Sequence, residues 1–73
     1  MAKKIVFVGA GNMATRLALA LADKGCYIAQ VFSRTIQSAQ ALATQLGHST
    51  GYTDTIAHIV TDADLYIFSL SDN

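Results

Sequence analysis

Across 73 residues the chain has no proline, no tryptophan and a single cysteine, and five Lys plus Arg balance five Asp plus Glu. The lone Cys26 forms no internal disulfide, and no spacing of Cys, His, Asp or Glu marks a metal site. A reducing cytoplasm suits such a chain, with Cys26 read as a small apolar residue near a strand start. Zero formal charge removes the electrostatic footprint that nucleic acid or an anionic membrane would attract. No signal peptide is legible, because the first apolar run is short and leads straight into a glycine turn. Repeats, linkers and low-complexity segments are missing too. What remains is 52% hydrophobic, enough for a core. A domain this small buries only roughly 60% of the surface its unfolded chain exposes, so stability is expected to be modest.

The organising stretch is Val6-Phe7-Val8-Gly9-Ala10-Gly11-Asn12-Met13-Ala14-Thr15. An apolar run enters Gly9-Ala10-Gly11-Asn12-Met13-Ala14, a G-x-G-x-x-A turn, and an Ala/Leu-rich helical run follows it. Gly9 permits the tight turn, Gly11 lets backbone approach a pyrophosphate, and Ala14 keeps the helix close to the sheet. The helix start then aims free N–H groups and a positive dipole end at the same point, a place for an anion.

Around this turn the chain reads as alternating strands and helices. Ile5-Val6-Phe7-Val8 is a β-branched-rich run suited to a parallel strand covered on both faces. A helix is expected over 12–24, with Met13, Leu17 and Leu21 as its apolar row and Gly25 as its stop. Arg16, one turn inside, either reaches a phosphate or stays solvated. A second strand spans Tyr27 to Phe32, and Ser33-Arg34-Thr35 follows where a dinucleotide fold meets the adenosine ribose. An NAD-preferring fold places Asp or Glu there, and this chain has none. It offers two hydroxyls and a guanidinium that can grip phosphate oxygens, which points to NADP. The alternative is that Ser33 and Thr35 only cap the next helix.

That helix is expected over 36–46, with Ile36, Ala39, Leu42, Ala43 and Leu46 as its stripe, Thr35 as N-cap and Gly47 as stop. A short strand near 49–52 follows, with His48 read as a loop residue. A short helix over 54–61 is then expected, with Ile56, Ile59 and Val60 inward and His58 exposed. The last strand is read over 65–70. The expected fold class is α/β: a Rossmann-type open parallel sheet in the order 3-2-1-4, with the first two helices on one face and the 54–61 helix on the other. One sheet face, carrying Ile5, Phe7, Tyr66 and Phe68 or else Val6, Val8, Ile67 and Leu70, is expected to be poorly covered and to drive self-association, with a homo-oligomer as the result.

Gly9-Ala10-Gly11-Asn12-Met13-Ala14, Phe32-Ser33-Arg34-Thr35 and Asp64-Leu65-Tyr66-Ile67-Phe68-Ser69-Leu70 together resemble the N-terminal domain of the pyrroline-5-carboxylate reductase and deazaflavin-dependent NADP reductase group, most of all its bacterial Rossmann-like oxidoreductases. The resemblance covers essentially the whole chain. It implies that Gly9, Ala10, Gly11, Asn12 and Met13 hold the pyrophosphate of NADP, that Ser33, Arg34 and Thr35 hold its 2′-phosphate, and that Leu70 and Ser71 lie near the nicotinamide ribose. Where pyrroline-5-carboxylate reductases carry a Val-Lys-Pro-like sequence after the fourth strand, this chain has Leu70-Ser71-Asp72, which directs the resemblance away from proline biosynthesis. It further implies that residues 1–73 are the N-terminal part of a dinucleotide-binding domain, with the substrate domain absent.

The leading reading is therefore the NADP(H)-binding portion of an oxidoreductase that moves hydride to or from a small carbonyl or imine, with no catalytic residue assignable: Tyr52, Tyr66, His48, His58 and Asp72 read as packing or surface residues. A nucleotide-binding or sensing module without catalysis is the alternative, since fold alone does not fix function. A third reading is a fold fragment that binds nothing.

Overall fold

The computed structural model of the chain describes residues 3–47 and 49–69. Four strands, β1 (Lys4–Val8), β2 (Tyr27–Phe32), β3 (Gly51–Thr53) and β4 (Leu65–Phe68), form one parallel sheet in the order β3-β2-β1-β4. Two helices, α1 (Asn12–Asp23) and α2 (Ile36–Leu46), connect the first three strands. The α/β class and the strand order are those expected from the sequence. The third strand begins two residues later than expected, and the fourth is described as far as Phe68.

Strand β1 lies between covered faces, as its unbroken apolar run requires: Ile5, Val6, Phe7 and Val8 are all buried. Ile5 and Phe7 point to the helices, in a cluster with Ala14, Ala18, Ile28, Val31, Ala39 and Leu42. Val6 and Val8 point the other way, with Phe32, against Ile59, Val60, Ala63 and Tyr66. The stripe read along α2 is the buried one, with Ala39, Leu42 and Ala43 fully inside. On α1 the expectation was one position out. Ala14 and Ala18 are buried and Leu21 packs on the core, while Met13 is 78% exposed and Leu17 is exposed as well. A step of one residue turns a helix by about 100°, and the small alanines let α1 lie close on the sheet while Met13 and Leu17 face outward.

The segment after β3 departs most from expectation. In place of a helix over 54–61 there is a single 3-10 turn, Ile56–His58, and Ile56 is 73% exposed rather than inward. Side-chain hydrogen bonds hold this connection against the sheet instead. The Thr55 N–H donates to Thr53 Oγ1 at 3.0 Å, Gln30 Nε2 donates to the His58 carbonyl at 3.0 Å, and the Val60 N–H donates to Gln30 Oε1 at 3.0 Å. The Tyr66 hydroxyl donates to the Val60 carbonyl at 2.6 Å and accepts the Ala63 N–H at 3.3 Å. His58 is exposed, as expected.

Gln30 reaches that connection because β2 is irregular. Lys4 and Ile5 pair with Tyr27 and Ile28, whereas Val6, Phe7 and Val8 pair with Gln30, Val31 and Phe32, so Ala29 is an extra residue. The bulge shifts the alternation: Ile28 and Val31 face the helices, and Gln30 and Phe32 face the connection.

This same face corrects the expected bare surface. The β1–β4 register pairs Ile5 with Leu65, Val6 with Tyr66, Phe7 with Ile67 and Val8 with Phe68. Ile5 and Phe7 therefore share a face with Leu65 and Ile67, not with Tyr66 and Phe68, because a one-residue slip exchanges the two faces of a strand. Both faces of β1 are covered. Within the β1–β4 pair the exposed apolar residues are on β4, where Leu65 is exposed and Phe68 is 68% exposed. Leu70 lies outside the described residues.

Candidate nucleotide-binding cleft

At the carboxyl ends of β1, β2 and β4 an open cleft of about 250 Å³ is lined by Gly9, Ala10, Gly11, Phe32, Ser33, Arg34, Thr35, Ser38 and Ser69. Ligands of open parallel sheets bind at this end, where the strand order reverses between β1 and its neighbours. Hydrogen bonds beyond the strand ends fix the rim. The Gly9 N–H donates to the Phe32 carbonyl at 2.7 Å, the Ser69 N–H to the Val8 carbonyl at 2.9 Å, and the Ser33 N–H to the Thr53 carbonyl at 3.1 Å.

Two glycines of the turn have different reasons to be glycine. Gly9 has φ +126°, and a Cβ there would overlap the Ser69 carbonyl oxygen and stand 2.7 Å from its carbon. Gly11 has φ −76° and ψ −173°, a conformation open to any residue, so backbone geometry does not require glycine there. It is the N-cap of α1 and offers no capping side chain, and the first turn of the helix carries no acidic residue. The first helical N–H groups of Asn12, Met13 and Ala14 precede the first intrahelical bond, from the Thr15 N–H to the Gly11 carbonyl at 2.9 Å, and stay available to an anion.

The corner after β2 is equally uncapped. Thr35 is the N-cap of α2, as expected, yet its hydroxyl makes no capping bond; the Thr35 N–H instead donates to Ser33 Oγ at 3.3 Å. The capping role expected as the alternative for these hydroxyls is thus not performed by Thr35. Arg34 is exposed and forms no ion pair among the described residues. Among the described residues that line the cleft there are one cation, four hydroxyls and no carboxylate.

Of the residues singled out in the sequence, Gly9, Ala10, Gly11, Ser33, Arg34 and Thr35 converge on the cleft. Asn12 and Met13 lie on the exposed first turn of α1 and their side chains do not line it. Leu70 and Ser71 lie outside the described residues, as do His48 and Asp72. Arg16 is exposed on α1 and outside the lining. Sequence reasoning missed Ser38 and Ser69. Ser38 sits three residues after Thr35, one helical turn from the corner, a spacing that would have flagged it. Ser69 follows β4 directly and is brought in by the β1–β4 register, which no local pattern discloses. No group of three His, Cys, Asp or Glu among the described residues could hold a metal, and no described helix is long and apolar enough to cross a membrane.

The chain is similar to a shikimate dehydrogenase (NADP(+)) of Natronomonas pharaonis, 40% identical over 67 residues that make up 90% of this chain and 25% of that protein. It is similar to a glutamyl-tRNA reductase of Methanothermobacter marburgensis, 38% identical over 65 residues, 89% of this chain and 16% of the relative. Among solved structures it superposes with TM-score 0.91 and 48% identity on a Bacteroides fragilis protein provisionally assigned as an NADP oxidoreductase, over 97% of this chain and 27% of that one. The chain thus spans a quarter or less of the curated relatives it matches. The Shikimate / quinate 5-dehydrogenase family matches residues 1–73, the whole of the sequence, and the chain belongs to that family.

Proposed function

We propose that the chain is the NADP(H)-binding portion of an oxidoreductase acting on a small carbonyl, imine or comparable substrate. The observation that carries this reading is the composition of the cleft: among the described residues, a guanidinium without an ion pair, four hydroxyls and two uncapped helix starts, with no carboxylate in the lining to repel a 2′-phosphate. The names of the Natronomonas and Bacteroides relatives point to the same cofactor.

In this reading Gly9, Ala10 and Gly11, with the N–H groups of Asn12 and Met13, hold the pyrophosphate. Ser33, Arg34 and Thr35 hold the 2′-phosphate, the guanidinium through charge-assisted hydrogen bonds. The Ser33 hydroxyl accepts the Thr35 N–H and keeps its own proton to donate. Leu70 and Ser71 keep the role of nicotinamide-ribose neighbours. The cofactor supplies hydride chemistry when bound, and the chain supplies placement. At about 250 Å³ the cleft falls below the roughly 300 Å³ at which small-molecule pockets begin, so it fits part of a dinucleotide. Residues 1–73 then form one part of a dinucleotide-binding domain, and substrate recognition belongs to a substrate domain elsewhere in the protein.

The narrower likeness to the pyrroline-5-carboxylate reductase and deazaflavin-dependent NADP reductase group is supported by the Gly-Ala-Gly-Asn-Met turn and the Ser-Arg-Thr corner. The balanced charge and single cysteine support a cytoplasmic setting without nucleic-acid partners. The exposed β4 residues Leu65 and Phe68 support a homo-oligomer.

Titration with NADP+ and NAD+ tests the reading, with NADP+ expected to bind at least about tenfold more tightly, as one charge-assisted hydrogen bond implies. Equal affinities would remove the 2′-phosphate assignment, and no binding of either would remove the function. A hydride-transfer assay on the longer protein separates catalysis from a sensing module.

A further inference from the structure

Gln30 and Thr53 are the buried polar side chains among the described residues. Thr53 makes a local turn bond, whereas Gln30 spends both ends of its amide on main chain about thirty positions away, at His58 and Val60. An apolar side chain of the same length would fill that space without desolvating an amide, and the Ala29 bulge alone keeps Gln30 on this face of β2. Satisfied buried amides of this kind fix position more than they add stability.

What they fix here leads to the cleft. The Val60 N–H is held by Gln30 and its carbonyl by Tyr66, so the Val60 peptide groups are tied to β2 on one side and β4 on the other. Ile59 and Val60 are thereby laid on the cluster of Val6, Val8 and Phe32. Phe32 ends β2, lines the cleft and runs directly into Ser33 and Arg34. From the other direction, the Ser33 N–H is bonded to Thr53, the residue from which the connection departs. The connection therefore meets the 2′-phosphate corner at its start, through Thr53, and near its middle, where Ile59 and Val60 pack on Phe32.

We propose that Gln30 is a positioning residue for cofactor selection, acting through the 54–64 connection on the corner formed by Phe32, Ser33 and Arg34. The proposal rests on the NADP reading above. Its test is calorimetric titration of the full chain with NADP+ and NAD+, well below the unfolding temperature, for Gln30→Met, Arg34→Ala and the double variant. Gln30→Met is expected to weaken NADP+ by about fivefold and NAD+ by much less, and to have no further effect once Arg34 is gone, because coupled sites are not additive. A residue serving stability alone would lower the melting temperature and leave both affinities of the folded chain unchanged.

Tyr66→Phe removes only the hydroxyl that anchors the same peptide and keeps the ring, so it supplies the measurement if Gln30→Met does not fold; a smaller loss of the same selectivity is expected. Unchanged affinities, or equal losses for the two cofactors that add to the Arg34→Ala loss, would overturn the proposal while leaving the NADP reading intact. Failure of the unsubstituted chain to bind either cofactor would overturn the NADP reading, and this inference with it.

Discussion

The Ser69 carbonyl occupies the space that a side chain on Gly9 would need. The end of β4 is thus packed against the turn that leaves β1, and the shape of the glycine turn depends on a strand more than fifty positions later in the sequence.

Substitution at Gly9 should accordingly cost more than its dihedral angle alone suggests. In Gly9→Ala, a left-handed backbone and overlap with Ser69 combine to about 2–5 kcal/mol. Gly25→Ala is the control: Gly25 also has positive φ, at +92°, but open space around it, so about 1 kcal/mol is expected. Urea unfolding of the two variants measures the difference, and similar midpoints would mean that the Ser69 contact relaxes freely.

Gly11→Val tests the other glycine. Because Gly11 has an ordinary φ of −76°, the fold should lose only about 1 kcal/mol through a poorer N-cap. The branched side chain should nonetheless block approach to the helix start, so that NADP+ and NAD+ are weakened together. An unfolded variant would count against the ordinary backbone geometry read at Gly11, and a folded one that binds either cofactor normally would count against the pyrophosphate assignment.

Arg34→Ala should separate the two cofactors. Losing one or two charge-assisted hydrogen bonds from an exposed guanidinium implies about tenfold to a hundredfold weaker NADP+ binding, with NAD+ little changed. Equal losses in parallel titrations would show that Arg34 does not read the 2′-phosphate.

Phe68→Lys addresses association. Strand β4 is Leu-Tyr-Ile-Phe, without a charge or proline to guard its outer edge, and Phe68 is among the most exposed large apolar residues. The substituted chain should sediment as a smaller species than the original at the same concentration. If the original is already a monomer at high concentration, the homo-oligomer is excluded.

Much of this architecture can be read locally. The Ile5 to Val8 run, the glycine turn and the α2 stripe each state their own conformation, and strand order follows from right-handed crossovers between them. The Ser33-Arg34-Thr35 corner was legible for the same reason, since it directly follows a strand. What could not be read depends on distant partners. The Ala29 bulge exists only in the register between β1 and β2, and it turns Gln30 away from the face that simple alternation from Ile28 assigns it. Isoleucine and valine at 56, 59 and 60 have helical spacing, but Gln30, Thr53 and Tyr66 satisfy the backbone of that segment in a nonhelical path. On α1 the choice between Met13-Leu17 and Ala14-Ala18 is made by how closely the helix approaches the sheet, where size rather than hydrophobicity decides.

The three hydrogen bonds at the rim, from Gly9 to Phe32, from Ser69 to Val8 and from Ser33 to Thr53, join the ends of all four strands. Opening any one of these ends strains its neighbours, so the rim should exchange its amide protons as a single cooperative unit and more slowly than ordinary loops. A cofactor would meet a surface already in its binding shape and spend little of its affinity on ordering backbone. Association should then be a single kinetic phase whose rate rises linearly with cofactor concentration, without the plateau that a slow closure imposes.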